Sequence, residues 1–312
     1  MSKLTFDTHE THLADGRRVA MWTLAPTGRP AHSLPIVVGA GFARRMHHFS
    51  GIAMYAAHNG FFVSRYDPVN HVGLSDGEMW NFNLTDSLTS LRAAVDETCR
   101  ITGQDRVVIV ATSLTARVAF QLAAQSDRVA LVVTAVGVVN VRETLRRVFE
   151  RDVAAVPLDK LSGGSVTFEG KPIGLESFCL DAHRNDWWTL ESCVKALRLA
   201  KQSLVGFVGT EDEWVDVSDV QHAFSEGANG PRKLLTLERA PHELSRNASV
   251  AHTFVQKMLE EIIEFGGINQ TPQDPPFEEI MEQSLVERRL QRGTGEAARA
   301  TTQATQAEQA PG

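Results

Sequence analysis

The chain has 312 residues, 43% of them hydrophobic, and a formal net charge of -7, enough apolar material for one sizeable core. No basic tail or stripe stands out, which excludes a general polyanion binder and with it nucleic acid as a partner. Cys99, Cys179 and Cys193 form no C-x-x-C pair, and the longest apolar run, Val129 to Val139, is about half of the ~20 residues that span a bilayer.

The N-terminus, "MSKLTFDTHE", becomes charged before any signal-peptide core appears, so a soluble, cytoplasmic protein without a membrane span is expected. "THLADGRRVAMWTLAP" places the turn signal "ADGR" between two strand-like runs, an antiparallel pair. The rhythm then changes. "LPIVVGAG", "FFVSRYDP", "RVVIVATS", "VALVVTAVGVV", "SLVGFVGTED" and "KLLTLERA" read as strands, most of them continuous apolar runs of the kind covered by helices on both faces. Helical periodicity falls between several of them, in "SGIAMYAAHNG", "TDSLTSLRAAVDETCR" and "TARVAFQLAAQ". Strand and helix in repetition give an α/β class with a mostly parallel sheet.

Val141 to Lys201 breaks the rhythm. It holds no strong strand, but contains "RETLRRVFE", "LSGGS" and "HRNDWWTLESCVKALRLAKQ", and reads as a cap inserted over the active-site face. The expected organisation is therefore a main domain over residues 1–267 with a cap at about 141–201. A Pro-rich connector and charged helix follow over 268–292, and a tail over 293–312 whose Ala, Thr, Gln, Glu and Gly lack periodicity and is expected to be disordered.

Ser113 sits between the run Val107–Ala111 and the helical pattern from Thr115. As a bland alternative it caps the helix; as a functional one it is the nucleophile of an α/β hydrolase, which is placed at a strand-to-helix elbow. A serine hydroxyl needs a base, and the base an orienting carboxylate, in the chain order Ser, Asp or Glu, His. "TEDEWVD" follows one later strand and "PHELS" the next, which supplies His242 as base. Among the acids Asp212 is preferred, with Asp216 second and Glu211 and Glu213 behind. The oxyanion donors are expected to be the N–H groups of Leu114 and, from "GAGFARRM", Phe42, with Ala43 as the reserve for Phe42. Ala111 and Thr115 stand where the G-x-S-x-G frame has glycines, and the threonine demands extra room. His47, His48 and His71 lack a carboxylate or cysteine at ligand spacing, so no metal and no cofactor is expected.

The segments "GFARRMHHFSG", "GFFVSRYDPVNHVGLSDG", "IVATSLTARVAF", "TAVGVVNVRETL", "FEGKPIG", "DEWV" and "PPFEEIMEQSLVERRL" span Leu34 to Leu290. In them the chain resembles the acyl transferase subunits of bacterial bioluminescence, thioesterases of myristoyl-acyl-carrier protein that feed a fatty-acid reductase complex. The resemblance implies an α/β-hydrolase fold and carries the triad onto Ser113, Asp212 and His242, favouring Asp212 over Asp216. It implies a serine acyl transferase or thioesterase acting on long-chain fatty acyl groups carried by acyl carrier protein or coenzyme A. The implied partners are those carriers and the fatty-acid reductase and synthetase subunits. An apolar tunnel under the cap would hold the chain, and Arg44 and Arg45 are candidates for the phosphopantetheine phosphate or an acidic carrier. The tail after Arg292 is unlike the family. Two alternatives are a broad carboxylesterase or trans-acting thioesterase of a polyketide or peptide assembly line, and a non-catalytic hydrolase-fold binding protein.

Overall fold

A computed structural model describes residues 3–308, with side chains through residue 292. Strands β1 (Leu4–His12) and β2 (Arg18–Pro26) form the expected antiparallel pair, and β1, half-exposed and charged, is an edge that alternates as edges do. Next come β3 (Ile36–Gly39), α1 (Ser50–His58), β4 (Val63–Tyr66), α2 (Leu84–Thr102), β5 (Val107–Thr112), α3 (Leu114–Gln125) and β6 (Val129–Ala135). The remaining sheet strands are β9 (Ser203–Glu211) and β10 (Arg232–Pro241), separated by α7 (Val217–Glu226) and followed by α8 (Ala248–Phe265). The eight strands lie in the order β1-β2-β4-β3-β5-β6-β9-β10, and all pairings from β4 to β10 are parallel.

Apolar runs explain the middle of the sheet. Every residue of β3, β4 and β6 is buried, and all of β5 but its last, because helices cover both faces. One face packs against α2 and α3 through residues such as Leu91, Phe120 and Val132. The other packs against α1 and α8 through Ala53, Phe61, Phe254 and Met258. β6 stops earlier than its apolar run suggests, because Val136 takes a φ of 47° and turns the chain.

Between β6 and β9 the chain forms α4 (Val141–Phe149), a hairpin of β7 (Ser165–Phe168) and β8 (Lys171–Gly174), α5 (Leu175–Arg184) and α6 (Leu190–Leu199). The hairpin corrects the reading of a strandless insert. Its strands are four residues long, one contains Pro172, and the turn rests on Glu169 (φ 48°) and Gly170 (φ 76°), so no periodicity announces it.

After α8, the connector is tied to the end of α1 by the buried Asn59, which accepts from Gln273 N at 2.7 Å and donates to its carbonyl at 2.8 Å. The last helix, α9 (Phe277–Glu308), packs on α1 and continues past Arg292. The tail expected from Gly293 falls in part within the span of α9, which runs to Glu308; its last four residues, 309–312, lie outside the described residues.

Candidate active site

β5 ends at Thr112 and α3 begins at Leu114, leaving Ser113 alone at the joint with φ 53° and ψ -129°. That is a strained conformation for a residue with a side chain. It is held by three backbone bonds, Ser113 N to the Ala135 carbonyl and the N–H groups of Ala116 and Val138 to the Ser113 carbonyl, all 3.1 Å. Ser113 does not cap α3 with its side chain. Its Oγ lies 2.7 Å from His242 Nε2 instead, so the capping alternative fails.

His242 follows β10, and its Nδ1 lies 3.0 Å from both oxygens of Asp212, which follows β9. A carboxylate only accepts, so Nδ1 carries the proton and Nε2 is left to accept from the serine hydroxyl. Asp212 is itself fixed: its Oδ1 accepts from the N–H groups of Trp214 and Val215, each at 2.9 Å. The side chains of His242 and Asp212 are 3% and 2% exposed, dry enough for their bond to be strong.

The other acids are engaged elsewhere. Asp216 caps α7 through Ser218 and pairs with Arg147 at 3.0 Å, and the Ser218 hydroxyl followed by Arg147 holds its carboxyl down at about 2. Glu211 is exposed. Glu213 accepts from His242 N at 3.1 Å, a contact that positions the histidine's backbone rather than its ring.

Leu114 N–H opens α3, where the helix dipole favours negative charge. Among the described residues neither it nor the Phe42 N–H has an acceptor. Ala43, the reserve for Phe42, is spoken for: its N–H donates to His71 Nε2 at 2.9 Å. Sequence reasoning missed this use of His71, whose burial depresses its pKa to about 4 and keeps the ring neutral and able to accept. His47 meets Gln291 (3.3 Å) and His48 accepts from Arg45 N (3.0 Å), so the three histidines face separate partners.

Thr115 finds its room in β3. A Cβ on Gly39 would come within 2.7 Å of Thr115 Cγ2, and the threonine hydroxyl donates to the Ala40 carbonyl. The glycine that elbows ordinarily keep beside the serine stands here on the neighbouring strand.

Arg44 corrects an expectation. Its guanidinium is committed to Glu169 at the hairpin turn and to Glu243 beside His242, and is not free for a phosphate; Arg45 remains exposed. Ser113 faces a mainly apolar cavity of about 620 Å³. On one side it is lined by Thr144, Leu145, Val148 and Phe168 of the insert and by Trp214; on the other by α1 and α8. Of the insert only its first half reaches the cavity; α5 and α6 do not.

The strand order, the strained serine after β5 and the acid and histidine after the last two strands define an α/β hydrolase. Solved structures of that fold are similar: DcsB in complex with its substrate analogue (TM-score 0.68, 17% identity, 83% of this chain and 99% of that one). Ferulic-acid-bound Est1E from Butyrivibrio proteoclasticus gives a TM-score of 0.66 at 16% identity, covering 80% and 97%. Residues 5–295 match the family model described as Acyl transferase. The "Acyl transferase" of Vibrio harveyi is 33% identical over 287 residues, 90% of this chain and 93% of that one. That of Shewanella hanedai is 32% identical over 294 residues, 93% and 94%. The chain belongs to the Acyl transferase family, as its motifs suggested, and is an acyl-transferring or acyl-hydrolysing enzyme.

Proposed function

We propose that the protein is a serine acyl transferase or thioesterase that takes long fatty acyl groups from a thioester, carried by acyl carrier protein or coenzyme A. The observation that carries this reading is the continuous chain Ser113–His242–Asp212, ending at two unpartnered amides and an apolar cavity. His242 Nε2 takes the proton as Ser113 Oγ attacks the thioester carbonyl, and Asp212 stabilises the imidazolium. The N–H groups of Leu114 and Phe42 hold the oxyanion, which collapses to the acyl-serine as the thiol leaves with the proton from His242. Water or another acceptor, deprotonated by His242, then releases the acyl group. A partner that reduces or activates the released acyl group, as in a fatty-acid reductase complex, and a cytoplasmic setting belong to the same proposal.

The test is acyl-enzyme trapping with a labelled fourteen-carbon acyl-coenzyme A. Wild type should take up label and Ser113→Ala none, with kcat down about 10⁶-fold. Equal labelling of both removes Ser113 from the reaction. The second reading, a broad carboxylesterase, is favoured by the esterase fold neighbours, and a rate that is flat from four to sixteen carbons would decide for it.

A further inference from the structure

The cavity that holds Ser113 has two sides, one beneath the insert and one between α1 and α8. The two differ in what fills them. Under the insert the rings of Phe42 and Phe168 lie 5.2 Å apart and those of Phe168 and Trp214 5.8 Å, an interlocked aromatic roof. Arg44 pins that roof by its contact with Glu169 at the hairpin turn. Between α1 and α8 the walls carry Gly51 and Ala251 instead.

Gly51 is the second residue of α1, and neither its backbone nor its packing requires a glycine. A glycine is retained where φ is left-handed or where a Cβ would collide. Gly51 has neither excuse: its φ is not positive, and a Cβ built on it meets no heavy atom within 4 Å. Among the described glycines it alone combines ordinary φ with empty space. The space it leaves belongs to the cavity that holds Ser113.

Resting on the reading of Ser113 as an acyl acceptor, we propose that the acyl chain lies in the slot between α1 and α8, and that Gly51 is the residue that admits its length. This moves the chain away from the tunnel expected under the cap. The slot is apolar along Ile52, Phe254 and Val255, and ends where Tyr55 and His252 meet with ring centroids 5.8 Å apart. His252 in turn pairs with Asp274 of the connector at 3.2 Å.

The experiment measures kcat/KM on acyl-coenzyme A from four to sixteen carbons. Gly51→Leu should lower the ratio of fourteen- to four-carbon activity at least about tenfold, because overfilling a packed slot is penalised only where the chain reaches it. Its melting temperature should hold or rise, since leucine favours the helix. Should the leucine variant fail to fold, Gly51→Ala should give a smaller drop in the same ratio, about fourfold for one methylene of displaced chain. An unchanged ratio in a folded Gly51 variant overturns the proposal. So does a profile truncated by Val148→Phe and not by Gly51→Leu, which returns the chain to the side beneath the insert. Labelling of the wild type by a short-chain fluorophosphonate separates the two levels. Labelled Ser113 with an unchanged ratio defeats the slot alone, whereas an unlabelled Ser113 defeats the nucleophile and the slot with it.

Discussion

Two buried ionic contacts can be set side by side. At the carboxyl edge of the sheet, His242 meets Asp212 with 3% and 2% of their side chains exposed; on β4, four strands away from β9 in the sheet, Arg65 meets Glu287 of α9 with neither exposed at all. Both are hydrogen-bonded: Arg65 is bidentate to Glu287 at 2.7 Å and also donates to the Met46 carbonyl at 3.3 Å, while Gln283 donates to Glu287 at 2.9 Å. By burial and pairing alone the second would be the better candidate for a site. The difference lies in what each contact leaves unfinished. Arg65–Glu287 is enclosed by protein, with the buried Arg65 Nε left without a partner, and fastens the C-terminal helix to the sheet. His242 presents Nε2 to a hydroxyl on a strained residue, beside two free amides and a cavity. The proposed site is marked by a hydroxyl, two amides and a cavity left open to a substrate.

The largest effect that would break this contrast is on turnover. Asp212→Asn should keep the fold and its melting temperature and reduce kcat about 10⁴-fold, because the amide no longer selects the Nδ1–H tautomer. A steady-state assay with the melting curve alongside checks both halves. Glu287→Ala should do the reverse. It leaves a buried guanidinium uncompensated and should lower stability by about 3–5 kcal/mol in urea unfolding, whereas Arg65→Met with Glu287→Leu together should recover most of it.

A third prediction sharpens the comparison with buried groups that have no ionic partner. Burial depresses His71 from 6.5 to about 4, so its stabilising contribution is complete above pH 6.5 and is lost as pH falls toward 4, about 2 kcal/mol by pH 5. Asp67 runs the other way. Burial, against the pull of Met46 and Leu74 N–H, raises it from 3.8 to about 6, and its contribution is complete below pH 3.8 and lost as pH rises through 6. On acidification from pH 7 to 5 the two should offset in the wild type, and Asp67→Asn should expose the full His71 slope in urea unfolding at the two pH values. Identical slopes in both proteins would contradict it. The smallest effect is expected from Asp216→Asn. Asparagine caps a helix as well as aspartate does, and the Arg147 pair is half-exposed, so turnover should stay within about twofold.

Much of this was legible in the sequence. Apolar runs marked the inner parallel strands because burial on both faces leaves no alternation to confuse them, and the candidates Ser113 and Asp212 each follow such a run, whereas His242 follows the half-exposed edge strand β10. The features that escaped depend on residues distant in the chain or on backbone detail. Arg65 and Glu287 are 222 positions apart, and nothing in either neighbourhood announces the other. The choice of Phe42 over Ala43 rests on which amide His71 occupies. The β7–β8 hairpin was too short to show a period.

Gly39 and Thr115 carry one more consequence. Since the side chain of one occupies the space denied to the other, what the elbow requires is a combined volume at two positions, not the identity of either. Gly39→Ala and Thr115→Gly should therefore each do harm alone and less harm together, the signature of coupled sites. A motif detector keyed to glycines flanking the serine reads along one segment of chain and would pass this protein by. One that tallied space across adjacent strands would find it.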